Sequence, residues 1–161
     1  MGFFSRFFKT DKLDQADPAL SRLPDDAASE IGLDASTAAA VLSEIDIDTA
    51  IAAHENWKLR LQNVLDGNSA EDLRPELVCR DDRCDLGKWL HGPGGQRLGH
   101  YPAFTVLVAR HKYFHVQASN VLALAQGGEA DKAAQALGSG YRHASNQVVL
   151  MLKELKRGLG R

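Results

Sequence analysis

From Ile45 onward the apolar residues of this chain recur at helical spacing, and no segment shows the alternation of a half-buried strand. A first stripe runs through Ile47, Ile51, Trp57, Leu61, Val64 and Leu65. Asp46 or Asp48 can cap its N-terminus, and "DGNS" stops it near Asp66. A second stripe, Phe104, Leu107, Phe114, Ala118, Val121 and Ala125, starts near Pro102 and ends at Gly127. A third takes in Leu137, Tyr141, Ala144, Val148, Leu152 and Leu155, where Gly138 and Gly140 should bend the helix or split it. Between the first two stripes a short helix should begin near Cys84 and end at "HGPGG". "ASTAAAVLSEI" adds one weak helix ahead of them. The expected fold is all-α: a four-helix-bundle-like domain with an additional short helix carrying Cys84. With 161 residues, 44% of them hydrophobic, the chain is long enough to bury a core of that kind.

His54 falls inside the first stripe, and the "HKYFH" of residues 111–115 puts His111 and His115 on or beside the second. Two histidines four apart share one face of a helix. The zinc-protease pattern H-E-x-x-H uses that spacing, but Lys112 stands where its glutamate base belongs. A single histidine on an apolar stripe is usually a core residue whose ring nitrogens find partners. Three together point to a shared metal, which satisfies one nitrogen of each. Cys84 can add a thiolate from the start of its short helix, and three nitrogens with one sulfur suit tetrahedral Zn2+. Four protein ligands leave no open position for water or substrate, so the chain is not expected to be an enzyme. A zinc hydrolase would also need a carboxylate base, and Glu55, next to His54, should point away from the site.

Residues 1–45 differ in composition from 46–161. "FFSRFF" pairs Phe3 with Phe7 and Phe4 with Phe8, beside Arg6 and Lys9. Two readings stand for residues 3–9: an amphipathic contact to a membrane or partner, or an end that folds back on its own domain. "DKLDQADPALSRLPDDAASE" then reads as a linker. No apolar run approaches a membrane span, no secretion signal is expected, and a net charge of -2 gives no push toward nucleic acid. The expected location is the reducing cytoplasm, where Cys79 and Cys84 serve as thiols or metal ligands rather than as a structural disulfide. Cys79 is either a spare loop thiol or a partner for an oxidised Cys84. Asp81, Asp82 and Asp85 are either solvated loop charges or outer hydrogen-bond partners of a ligand histidine. His91, His100 and His143 carry no sequence signal for the site.

The stretches "DIDTAIAAHENWKLRL", "CDLGKWLHGPGG" and "YPAFTVLVARHKYFH", in that order, closely resemble the chemoreceptor zinc-binding (CZB) family. The specific elements are H-x-x-W-K-x-R-L, C-x-L-G-K-W and the closing H-x-x-x-H, with Trp57 and Trp89 packing beside the site. The resemblance implies a helical bundle holding zinc through His54, Cys84, His111 and His115. It further implies a bacterial, cytoplasmic and often homodimeric sensor of zinc or of oxidants that attack the zinc-bound Cys84. Such domains are commonly fused to chemoreceptors or to cyclic-di-GMP synthases. No such segment is seen here, so a separate signalling protein is the expected partner. The alternative function is a structural, zinc-stabilised interaction domain without a switch.

Overall fold

Aspartates and prolines set where the helices begin. Asp34 accepts the Thr37 N–H at 2.9 Å and opens α1 (Ala35–Glu44). Asp46 accepts the Thr49 N–H at 3.1 Å and opens α2 (Ile47–Leu65). Prolines take the first helical position of α3 (Pro75–Val78), α5 (Pro93–Leu98) and α6 (Pro102–Gln126), where no backbone donor is needed. α4 (Asp85–His91) starts at Cys84. α7 (Ala130–Ala136) runs through a π-helical turn (Leu137–Tyr141) into α8 (Arg142–Gly158). The computed structural model describes residues 33–160, and no strand occurs among them. The Phe-rich segment of residues 3–9 and the acidic stretch that follows it lie outside the described residues.

α2, α6 and α8 pack on one another, α7 lies along α6, and α3 lies against α6. The stripes read from the sequence face this centre: Leu61, Phe114, Val121, Val148 and Leu152 are fully buried. Each such side chain contributes about 1.5–3 kcal/mol on leaving water. This is the all-α bundle that the periodicity predicts.

The short helix α4 ends at "HGPGG" as the sequence reading expects, broken by Gly92, but Pro93 at once starts a further helix, α5, that the reading lacks. Gly94 allows the tight turn, because a Cβ there would sit 2.7 Å from the Trp89 ring. Of the two outcomes expected at Gly138 and Gly140, a bend or a split, the split does not occur. The flanking Ala136 and Arg142 keep right-handed helical angles, and the π-turn directs both Leu137 and Tyr141 into the core. Tyr141 then packs on Phe114, with ring centroids 5.6 Å apart.

α1 lies against α5, and Val41 is fully buried. Glu44 at its end accepts the Trp89 Nε1–H at 3.1 Å and pairs with Arg97. α1 is thereby fastened to the α4–α5 pair, which carries Cys84 at its start.

Candidate metal centre

Three elements aim side chains at one point inside the bundle. α2 contributes His54, the N-cap of α4 contributes Cys84, and one face of α6 contributes His111 and His115. One ligand atom from each of the four lies within 4.8 Å of the others. His111 Nε2 and His115 Nε2 are 3.2 Å apart, and Cys84 Sγ is 3.3 Å from the first and 3.6 Å from the second. A tetrahedral zinc with bonds of about 2.0–2.3 Å sets its donors about 3.3–3.7 Å apart, which is the spacing found for these three atoms.

The proton inventory explains why such a cluster suits a cation. His54 Nδ1 donates to the Ala50 carbonyl at 2.7 Å, and His115 Nδ1 donates to the Val78 carbonyl at 2.8 Å. A carbonyl only accepts, so both rings carry their proton on Nδ1 and leave Nε2 as a bare lone pair. Lone pairs that face one another cannot satisfy each other. A metal ion takes all of them at once. The three imidazoles are at most 3% exposed, so water is a poor substitute.

Electrostatics run the same way. Burial lowers the pKa of all three rings, and for His111 burial and the neighbouring His115 and His54 push it down to about 2. The rings are therefore neutral, as a metal ligand must be. Burial raises the Cys84 thiol, against the Gly87 and Leu86 N–H groups that lower it. The thiol by itself stays protonated, and a nearby cation is what would draw out the thiolate. The Gly87 N–H points at Sγ from 3.3 Å and would help to hold that charge.

Glycine at 87 is a packing necessity. A Cβ there would lie 1.6 Å from the Asp81 carbonyl oxygen, so the 81–84 loop closes directly on the first turn of α4. Asp81 is not a solvated loop charge. Its side chain is 15% exposed, its Oδ2 accepts from His91 Nε2 at 2.7 Å, and the same oxygen lies 4.0 Å from His111 Nδ1. Asp82 pairs instead with Arg80 on the surface, and Asp85 lies near Lys88. Glu55 points away from the centre and pairs with Lys153. Cys79 Sγ donates to the Glu76 carbonyl, and Cys79 is not among the converging ligand atoms. His100 and His143 are exposed. The sequence offered no sign of the Asp81–His91 pair. The two residues are ten apart across a loop and a helix, with no periodicity linking them.

The thiol is half-buried rather than sealed. A cleft of about 630 Å³ beside α2 and α4 reaches His54, Trp57 and Cys84. A second of about 230 Å³ reaches Cys84 and His115 past Trp57 and Arg83. Trp57 stands between the two openings, with the Arg60 guanidinium 3.9 Å above its ring. Among the described residues, no helix is long and apolar enough to cross a membrane.

Comparison of the chain with curated proteins and with solved structures returns no match. A family match does span the centre, from His54 in α2 to Leu122 in α6, and all four converging side chains lie inside it. What residues 54–122 of this chain match is the chemoreceptor zinc-binding domain family.

Proposed function

We propose that His54, Cys84, His111 and His115 bind one zinc ion, and that the chain is a regulatory module responding to zinc level or to oxidation of the zinc-bound Cys84. The observation that carries this reading is the convergence of three neutral imidazoles and one thiol within 4.8 Å inside a zinc-binding domain. Bound zinc would supply the positive charge that makes Cys84 a thiolate and would tie α2, α4 and α6 together. The residues around it serve that end. The Ala50 and Val78 carbonyls orient two of the rings, and the Gly87 N–H faces the sulfur.

The clefts give small oxidants a way to the sulfur. Attack of the Cys84 thiolate on a peroxide forms an S–O bond, breaks the O–O bond and releases hydroxide or water. The resulting sulfenic acid is a weaker ligand, which would free the start of α4. In this reading the module occupies residues 46–161, works in the bacterial cytoplasm as a homodimer, and signals through a separate chemoreceptor or cyclic-di-GMP enzyme. A second reading is a permanent zinc clip without a switch. The near-complete burial of the imidazoles favours it.

Metal analysis of the purified protein before and after one equivalent of hydrogen peroxide separates the two. The switch predicts loss of one zinc per chain with a change of assembly, and neither effect in Cys84→Ala. Zinc that stays through oxidant and chelator makes it a clip, and a wild-type protein that takes up no zinc refutes the metal centre itself.

A further inference from the structure

The three buried imidazoles are not equally supported. His54 and His115 each hand their Nδ1 proton to a backbone carbonyl, at 2.7 and 2.8 Å. His111, the most buried of the three, has no hydrogen-bond partner at Nδ1. Its Nε2 faces the cluster, 3.3 Å from Cys84 Sγ and 3.2 Å from His115 Nε2. A neutral imidazole that gives Nε2 to a metal must keep its proton on Nδ1, and a buried N–H needs an acceptor.

The acidic group facing that nitrogen is Asp81. Its Oδ2 stands 4.0 Å from His111 Nδ1, beyond hydrogen-bond range, and the same oxygen accepts from His91 Nε2 at 2.7 Å. A movement of about 1 Å toward α6 would make the missing bond. The backbone under Asp81 is fixed by its contact with Gly87, so the side chain is the part free to make that movement.

We propose that Asp81 is the positioning residue of the metal centre: its carboxylate orients His111 when zinc is bound, and it does so by giving up His91. This rests on the zinc-binding reading above and adds a link from the buried ligand to the surface. His91 ends α4 and is exposed, immediately before the Gly92–Pro93 break into α5. Zinc occupancy is thereby coupled to how firmly the α4–α5 corner is held.

Zinc affinity measured by competition with a chromophoric chelator tests this on the full-length protein, with helix content checked in each variant. Asp81→Ala should weaken zinc about 10–100-fold, as loss of an outer hydrogen-bond partner does. Asp81→Asn, whose amide oxygen still accepts, should retain most of the affinity. His91→Ala leaves Asp81 to His111 alone and should tighten zinc severalfold. Imidazole ¹⁵N spectra give a readout that general destabilisation would not move. With zinc bound, the His111 Nδ1–H resonance should shift in Asp81→Ala while those of His54 and His115 stay in place, and the His91 signals of the wild type should move on zinc addition. An Asp81→Ala affinity indistinguishable from wild type, or an unmoved His111 Nδ1–H, overturns the proposal while leaving the zinc centre intact. Failure of the wild type to take up zinc overturns both.

Discussion

His111 and His115 stand one turn apart on α6 with their Nε2 atoms 3.2 Å from each other, and both rings are at most 3% exposed. Without a cation the bundle buries the His54 and His115 Nε2 lone pairs beside a protonated thiol, polar groups that satisfy one another only in part. Zinc should therefore stabilise the fold strongly. At about 100 times its dissociation constant a ligand adds about 2.7 kcal/mol, which for a domain of this size raises the melting temperature on the order of 5–10 °C. Thermal melts with zinc and with chelator check this. The shift should vanish in His111→Ala and in Cys84→Ala, and a shift that survives in both would place the zinc elsewhere.

The zinc-free protein should be sensitive to acid. Burial lowers the pKa of His54, His111 and His115 in the folded state from the ordinary value of 6.5, in His111 to about 2. Below about pH 6.5 the unfolded chain then binds protons that the folded chain does not. Stability is fully present above that value and falls as the pH drops, with the His111 contribution still declining down to about pH 2. Urea midpoints of chelator-treated protein between about pH 8 and about pH 5 should be level at first and then fall. His111→Gln, which cannot titrate, should fall less steeply. A midpoint that stays level to pH 5 would show that the rings are not held neutral.

How far this could be read in the sequence depends on what kind of contact is involved. The bundle was legible because periodicity is a local property: Ile47, Ile51, His54 and Leu61 share a face whatever the helix packs against. The meeting of His54 with the His111–His115 pair was legible because all three sit on stripes that had to face one core. The Asp81 contact was not, since it depends on how a loop closes on Gly87, and that close approach leaves no periodic trace. α5 was missed because Gly92 and Pro93 read as breakers, although a proline at the first helical position starts a helix as readily as it ends one. Gly138 and Gly140 suggested a bend or a split, and a π-turn carries them without a split.

Gly87 should tolerate no side chain. The methyl of Gly87→Ala would meet backbone, 1.6 Å from the Asp81 carbonyl oxygen and 3.2 Å from the Asp82 Cα, so the loop must move away from α4. A loss of about 1–3 kcal/mol in stability is expected, together with weaker zinc binding as Cys84 loses its place and its N–H partner. Gly138→Ala is the matched control. Nothing lies within 4 Å of its added methyl, and the change should leave stability unchanged or raise it by up to about 1 kcal/mol. Urea denaturation and chelator competition on the pair check this. Equal behaviour of the two variants would remove the close-packing argument.

Glu44 should decide whether α1 stays on the bundle. Its carboxylate takes the Trp89 Nε1–H and the Arg97 guanidinium together, joining the end of α1 to both α4 and α5. The hydrogen bonds from Arg97 and then Trp89 hold its pKa below the usual carboxylate value of 4.5. The stability it contributes is therefore present above that value and is lost as the pH falls through the depressed one. In Glu44→Ala the buried indole N–H loses its acceptor, and about 1–2 kcal/mol should go. Val41 remains apolar and buried, so the expected result is a loosened α1 and not an unfolded bundle. Hydrogen exchange distinguishes these outcomes: amides of α1 should exchange much faster while those of α6 and α8 keep their protection. Uniform acceleration across all helices would mean that α1 is an integral part of one cooperative unit. No acceleration in α1 would mean that Val41 alone is enough to dock it.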